Sequence, residues 1–296
     1  MQNETKGMVL GLVGVCAFGL TLPATRIVVA YADPVFIGLG RAALAAVFAL
    51  MLLLWFGEKI PSVRQAMQLA VVALGVVIGF PFLASWAMLH VPASHGGVVV
   101  GILPMATAVV GVLVSAERPS IGFWVVSCIG SGLVMAYALY QGAGQIHIAD
   151  LALLGAVLCA AVGYALGAKV SQEIGGWQVI CWALVLAFPF VLVPALQSVP
   201  DSLADIPVQA YLSFGYLVLV SQLLAFFVWY KGLALGGIAR VSQAQLLQPF
   251  VTLIASVLIL GEALDASTVI FIFLVVCSVW VGKKMPIQRL QEADAQ

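Results

Sequence analysis

Two stretches of this sequence match each other: residues 101–117, GILPMATAVVGVLVSAE, and residues 246–262, LLQPFVTLIASVLILGE. One offset of 145 residues places Pro104 on Pro249, Thr107 on Thr252 and Glu117 on Glu262. In both stretches a proline interrupts an apolar run that a glutamate closes 13 residues later. The coincidence of three unlike residues at one offset predicts an internal duplication of the chain.

Each half of the duplication contains five apolar runs, and each run is close to the 20 or so residues that a membrane-spanning helix needs. The connections between the runs are short, so they leave no room for a soluble domain. The predicted fold is all-α and integral to the membrane, with ten transmembrane helices. The predicted spans are 8–30, 34–56, 66–90, 94–116, 121–141, 149–170, 177–198, 207–231, 239–261 and 265–282.

The two halves are predicted to have opposite orientations in the membrane. With five helices in the first half, the second half must enter from the other side. The two predicted repeats, residues 8–140 and 149–284, are therefore inverted. Inverted repeats are the usual architecture of alternating-access transporters, which bind substrate near the bilayer midplane where the repeats meet.

The composition agrees with a lipid environment, since 64% of the residues are hydrophobic and 8% are charged, against about 25% charged in soluble domains. A net charge of zero speaks against nucleic acid as a partner, because phosphate binding needs a basic excess. On the predicted topology, ten of the twelve Lys and Arg residues share the side that carries both termini. The positive-inside rule then predicts cytoplasmic N- and C-termini.

No enzymatic motif is present. The five cysteines lie within predicted spans without a C-x-x-C pair, and the three histidines lack metal-ligand spacing. A nucleophile elbow, a phosphate loop and paired intramembrane carboxylates are also missing from the sequence. We therefore expect neither an enzyme nor a bound metal or cofactor.

The duplicated plan resembles the drug/metabolite transporter superfamily, specifically its EamA-type members, over nearly the whole chain. The resemblance is carried by Pro92-Ala-Ser94, Leu103-Pro104, Gln248-Pro249 and Gly261-Glu262. It implies a multi-pass carrier of small metabolites in the bacterial inner membrane, and the aromatic content is similar to that of the aromatic and neutral amino-acid exporter branch. The chain departs from the pattern at Ala116-Glu117, where Gly-Glu is usual, and lacks the common Trp before Gly19.

The ninth predicted helix has the densest set of polar residues at membrane depth. Ser242, Gln245 and Gln248 recur every three residues and so share a helical face. That face ends at Pro249, which lacks an amide donor and frees a carbonyl near the midplane. The amides and this carbonyl are suited to the ammonium and carboxylate of a zwitterion; the alternative is that they only bond neighbouring helices.

The remaining candidates are residues of polar, aromatic or helix-breaking type inside spans, each with an ordinary packing role as the alternative. Arg26 and Arg41 are interpreted as an outer gate that attracts a substrate carboxylate, or as snorkelling side chains. Glu117 and Glu262 are interpreted as structural anchors of the repeat, with proton coupling as the alternative. The predicted cavity residues are Ser85, Trp86, Tyr164, Trp182, Ser221 and Gln222, and the predicted hinges are Pro81, Pro104 and Pro249.

Together these features predict a carrier that exports small organic solutes, principally neutral or aromatic amino acids, by alternating access. No carboxylate lies clearly at the membrane centre, which favours facilitated uniport. A proton-coupled drug/metabolite antiporter is the alternative, and a non-transporting membrane receptor or assembly protein is the second alternative. The expected partners are a small-molecule substrate and the lipid bilayer; the sequence leaves the oligomeric state open and is compatible with a monomer.

Overall fold

The computed structural model describes residues 2–115, 117–141, 148–261 and 266–289. The regular structure in these residues is helical except for one short two-stranded ribbon. The helical segments are α1 Gln2–Val28, α2 Phe36–Phe56, α3 Val63–Ala87, α4 Ala93–Ser115, α5 Ile121–Gln141, α6 Ile148–Ile174, α7 Gly176–Gln197, α8 Val208–Gly236, α9 Ile238–Leu260 and α10 Ala266–Lys284.

Eight of the described segments, α1 to α4 and α6 to α9, are long and apolar enough to cross a bilayer. The all-helical membrane fold expected from the hydropathy pattern is therefore confirmed. Helix α5 is apolar over at least Ile121–Leu133, and it packs against α10. The exact count of ten spans, which depends on these two helices, stays a prediction.

Side-chain contacts join helix ends that lie at the same end of the helix bundle. At the end carrying both termini, here the near end, Gln178 Nε2 donates to Glu58 Oε1 at 3.0 Å, and Gln65 Nε2 donates to Glu173 Oε2 at 3.0 Å. At the opposite far end, His95 Nε2 lies 2.7 Å from Asp150 Oδ1. Consecutive helices therefore run in alternating directions, as a multi-pass topology requires.

Two pairs of corresponding helices carry the same irregularity in both halves. Helices α3 and α8 each contain a π-helical segment, Ala73–Gly79 and Leu217–Leu224, and α4 and α9 each contain a 3₁₀ segment, Val100–Ile102 and Gln243–Leu247. Within each pair the segments overlap when shifted by the 145-residue offset of the repeat. The 3₁₀ segments precede Pro104 and Pro249, which cannot donate to the carbonyl four residues earlier. That these prolines mark hinges stays a prediction.

Glycines bring the two halves into close contact at two crossings. A Cβ on Gly7 of α1 would lie 2.5 Å from the Gly236 backbone nitrogen of α8, and a Cβ on Gly75 of α3 would lie 2.5 Å from the Cys159 carbonyl oxygen of α6. The repeat relates α1 to α6 and α3 to α8. The two crossings are therefore equivalent contacts between the halves, and small residues allow both backbones to approach.

Substitution at one of these crossings is expected to destabilise the protein. In Gly232→Val, the new Cβ would lie 2.9 Å from the Gly11 backbone nitrogen, so the helices must separate at a cost of about 1–3 kcal/mol. Denaturation in mixed micelles measures this loss in the free energy of unfolding. Gly215→Val on the same helix is the matched control, because a Cβ there meets no atom within 4 Å. Equal losses in the free energy of unfolding of the two variants would contradict the prediction that close packing at this crossing requires a glycine.

Candidate functional site: a central cavity between the two halves

A small cavity lies between the two halves and has about 10 Å³ of free space, room for about one water molecule. Six helices reach it: α1, α2 and α3 from the first half, and α6, α8 and α9 from the second. Its polar and apolar side chains converge from both repeats, as expected for a substrate site at a repeat interface. The lining residues are Phe18, Thr21, Arg41, Val76, Phe80, Tyr164, Ser221, Gln222, Phe226 and Gln248.

Arg41 is the charged residue of this cavity. Its side chain is 2% exposed, its Nε atom has no hydrogen-bond partner, and it forms no ion pair with a carboxylate of the described residues. A buried charge without a partner is costly at membrane depth, where such residues mark functional sites. The buried Arg41 therefore gives the cavity a positive electrostatic character.

The π-helical segments of α3 and α8 meet directly at the cavity. Gln222 Nε2 of α8 donates to the Val76 carbonyl oxygen of α3 at 3.2 Å. Val76 and Ser221 occupy corresponding positions of the repeat, at the 145-residue offset, and both line the cavity. Because corresponding residues of both repeats line this one small cavity, the cavity lies close to the axis relating the two halves. π-Helical turns occur frequently at functional sites because they displace side chains and loosen carbonyls.

Hydroxyl and amide groups supply further hydrogen-bonding capacity. Thr21 Oγ1 and Ser221 Oγ are 2.8 Å apart and join the two halves by a hydrogen bond. Gln248 is 6% exposed and lines the cavity with an Oε1 atom that has no partner. These groups can accept and donate hydrogen bonds to a polar solute.

Aromatic rings form the apolar wall of the cavity. The Phe18 ring lies 5.0 Å from the Phe226 ring in an edge-on arrangement and 6.0 Å from the Tyr164 ring in a stacked one. Trp229 does not line the cavity, but its ring packs against the Tyr164 ring with the centroids 5.3 Å apart. Interlocked rings of this kind keep their orientation and present both faces and edges to an apolar group.

Helix α1 is interrupted where it passes the cavity, at Leu20. Pro23 cannot donate to the Gly19 carbonyl oxygen, which instead accepts a 2.7 Å hydrogen bond from Thr252 Oγ1 of α9. The Ala17 carbonyl oxygen likewise accepts from the Tyr216 hydroxyl of α8. Partners from the second half thus stabilise the break that positions Phe18 and Thr21.

The structure brings some of the sequence-predicted residues together at this cavity and leaves others outside its lining. Arg41, Tyr164, Ser221, Gln222 and Gln248 line it. The sequence predicts Arg41 at an outer gate, but the structure places it deeper, in the central cavity. The predicted residues outside the lining are Ser85, Trp86, Trp182, Ser242 and Gln245.

Several residues outside the lining have other surroundings. Ser242 Oγ donates to the Ala239 carbonyl oxygen of its own helix at 2.9 Å, and Trp86 packs against the His90 ring at 4.6 Å. Gln245 is buried, and both its amide atoms are without a partner. Arg26 donates to the Met88 carbonyl oxygen at the far end of α3. Pro81 follows the π-helical segment of α3 and lies next to the lining residue Phe80.

Five lining residues are not among the sequence-predicted site residues: Phe18, Thr21, Val76, Phe80 and Phe226. Four of them are apolar and look like ordinary core or lipid-facing residues. Thr21 is the exception, because a hydroxyl at membrane depth is a polar group that needs a partner. Its position just before Pro23 is the signal that could have found it.

A larger cavity of about 440 Å³ lies near the far end, between α1, α2, α7 and α8. No polar atom faces it, and residues such as Leu192 and Leu196 form its wall. It therefore lacks the few polar groups that orient a solute in a specific site. The small central cavity is the better candidate for substrate binding.

Glu117 joins the two halves at the near end of the bundle. Its Oε1 and Oε2 atoms accept hydrogen bonds from the Ile238 and Ala239 backbone nitrogens at 2.9 and 2.8 Å. Gly237, at a φ of 90°, lets α8 and α9 follow each other with one intervening residue. The carboxylate thus caps the N-terminus of α9, where negative charge is favoured. Glu262, its counterpart in the repeat, lies outside the described residues.

The sequence of this chain is similar to those of known membrane transporters. The EamA-like transporter family matches this chain twice, over residues 5–137 and 147–281. The uncharacterized transporter YdeK of Bacillus subtilis (strain 168) is 48% identical over 262 residues, which cover 88% of this chain and 91% of YdeK. A protein named probable terminal-alkyne amino-acid exporter, from Streptantibioticus cattleyicolor, is 23% identical and covers 70% of this chain and 69% of its own length.

More distant similarity extends over most of the chain. Protein PecM of Dickeya dadantii (strain 3937) is 25% identical and covers 87% of this chain and 86% of its own length. One crystal structure of a protein superposes with a TM-score of 0.75, at 14% identity, over 94% of this chain and 96% of that one. At this level of identity the superposition shows a shared fold.

Proposed function

Because this chain belongs to the EamA-like transporter family of the drug/metabolite transporter superfamily, we propose that it exports neutral and aromatic amino acids by alternating access. Membership confirms the resemblance seen in the repeat, and the family and its relatives indicate a multi-pass membrane transporter of small molecules. The observation that carries the proposal is the central cavity, where Arg41, Gln222 and Gln248 face a wall of aromatic rings. The similarity to a named amino-acid exporter supports the same substrate class.

Each part of an amino acid has a counterpart in this cavity. The Arg41 guanidinium presents a planar fork of donors that matches a carboxylate. The unpaired Gln248 Oε1 accepts from an ammonium group, and the rings of Phe18, Tyr164 and Phe226 enclose an apolar side chain. These pairings are part of the proposal and give each lining residue a distinct role.

Transport requires the two halves to move relative to each other, because the cavity has room for about one water molecule. The matching π-helical and 3₁₀ segments beside Pro81, Pro104 and Pro249 are the proposed hinges. Glu117 is the proposed latch at the near end. No carboxylate lines the cavity in the described part of the chain, which supports uniport over proton antiport.

The proposed location is the bacterial inner membrane, with the near end in the cytoplasm. Lys59, Arg64, Lys169 and Arg240 lie at the near end, whereas Asp33, Asp150, Asp201 and Asp205 lie at the far end. Excess Lys and Arg in cytoplasmic connections is the usual basis for membrane orientation. Export then moves solute from the near end to the far end.

Flux into liposomes tests the proposed function. Purified protein is expected to equilibrate labelled phenylalanine, leucine and tryptophan down their gradients without a pH difference, because the uniport proposal involves no proton. Empty liposomes provide the background. Failure to move any member of a broad amino-acid panel would exclude the substrate class, whereas strict dependence on a pH gradient would favour the proton-coupled antiporter.

A further inference from the structure

We propose that the cavity selects its substrate by the carboxylate and does not require the ammonium group, so that simple aromatic carboxylates are substrates alongside amino acids. This inference rests on the proposed function and deepens its substrate class. It depends on the charges that face the cavity and on the hydrogen-bonding atoms that remain free there.

The first step concerns the charge of the cavity. Arg41 is its one charged lining residue. The Asp and Glu residues of the described chain lie outside the lining, and Glu117, the most deeply buried of them, is engaged with the α9 N-terminus. A solute that enters the cavity thus meets one positive charge and no compensating negative charge from the protein.

The second step concerns the carboxylate of the solute. The guanidinium is nearly fully buried, and its Nε donor has no protein partner. An incoming carboxylate supplies both the missing negative charge and the missing acceptor, in the bidentate geometry that this pair favours. Shielding from water strengthens the pair relative to the same contact at a surface. The carboxylate is therefore the group whose loss costs the most affinity.

The third step concerns the ammonium group of an amino acid. Within the same small cavity it is repelled by Arg41, and no lining carboxylate offsets that repulsion. Its available partners are the Gln248 Oε1 atom and the faces of the aromatic rings. Removing an ammonium from water costs free energy, and a hydrogen bond to a neutral oxygen offsets less of that cost than one to a carboxylate. Deleting the ammonium is thus expected to leave binding intact or to strengthen it.

Three ligands with one phenyl ring separate these contributions: phenylalanine, 3-phenylpropionate, which lacks the ammonium, and phenylalaninamide, which lacks the carboxylate. Calorimetric titration of the purified protein measures each affinity. We expect 3-phenylpropionate to bind at least as tightly as phenylalanine. Phenylalaninamide should bind about ten- to a hundredfold more weakly, the effect of losing a charge-assisted hydrogen-bonded contact.

The outcomes distinguish the inference from the proposed function. If phenylalaninamide binds as tightly as phenylalanine, or if 3-phenylpropionate binds much more weakly than phenylalanine, the inference is overturned. Binding of 3-phenylpropionate alone supports the inference and removes amino acids from the proposed function. Absence of binding by all three ligands overturns the inference, because a phenyl ring with a carboxylate should suffice. The comparison uses the unaltered chain, so it does not depend on a variant that folds.

Discussion

Replacement of Arg41 by glutamine is expected to reduce the flux of a carboxylate substrate about 100-fold or more, the effect of removing one partner from a buried, hydrogen-bonded charge pair. The side chain is 2% exposed and lies in the cavity without an ion-pair partner from the protein. The substrate would therefore lose its one positively charged contact. Initial rates of uptake into liposomes measure the loss.

The same substitution is expected to leave the free energy of unfolding unchanged or to raise it. Removal of a buried charge that lacks a partner relieves a desolvation cost instead of breaking an ion pair. Activity and stability would then change in opposite directions, which is a common property of functional sites. A structural role for Arg41 predicts the reverse, a loss of stability together with the loss of flux.

Two further variants make the Arg41 experiment specific. Arg41→Lys retains the charge but not the planar fork, so it should recover part of the flux. Arg26→Gln is the matched control, because that guanidinium contacts the Met88 carbonyl at the far end and not the cavity. It should lose much less flux than Arg41→Gln. Equal losses of flux in the two glutamine variants would show that the flux does not depend on the position of Arg41 in the cavity.

The fold could be predicted from the sequence because its signals are local or strictly periodic. A spanning helix is a continuous apolar run, and the duplication is visible in the spacing of Pro104 and Pro249. The π-helical segments of α3 and α8 could not be predicted in this way. They have no consistent residue pattern, and Gln222 and Val76 show their significance only when the two segments meet.

Only part of the site could be predicted from the sequence. A polar residue inside a span can be recognised from the sequence, but whether its side chain points into the cavity cannot. Their polarity inside spans predicts a site role for Gln222 and Gln248, and both line the cavity. Ser242 carries the same signal but is bonded within its own helix. Phe18 and Phe226 carry no such signal, since an aromatic ring that faces a cavity has the same sequence pattern as one that faces the core.

Arg41 illustrates why the position of a residue along its helix does not determine its role. It lies close to the far end of α2, where an arginine can extend its guanidinium to the membrane surface. In the structure its helix presents it to the interior instead, after the π-helical segment Phe36–Gly40. The packing of six helices around the cavity determines where the Arg41 side chain points. The sequence of α2 alone does not specify that packing.

Replacement of Glu117 by glutamine is expected to open the near end of the transporter. The carboxylate accepts from two backbone nitrogens of α9 and is 4% exposed, whereas an amide turns a donor toward one of them. An unsatisfied buried donor costs about 1–3 kcal/mol, which shifts a two-state equilibrium roughly 5- to 150-fold. The structure makes this contact, and in the proposed mechanism the contact keeps the near end closed, so the substitution should favour the state in which the near end is open.

Labelling of a single cysteine measures this shift. Ser242→Cys, in a background without the native cysteines, places a thiol one turn beyond the capped residues of α9, where Ser242 is fully buried. In nanodiscs, Glu117→Gln should raise its rate of reaction with a maleimide about tenfold or more.

Glu4→Gln is the matched control for this latch. Glu4 also contacts the start of α9, through Arg240, but its side chain is 45% exposed, and exposed ion pairs contribute about 0–1 kcal/mol. The Glu4 variant should therefore label at nearly the rate of the parent. Equal acceleration by both variants would indicate general loosening of the near end, and no acceleration by Glu117→Gln would remove Glu117 as the latch. Acceleration by Glu117→Gln alone would mean that a residue of one half holds the other half closed through a helix N-terminus.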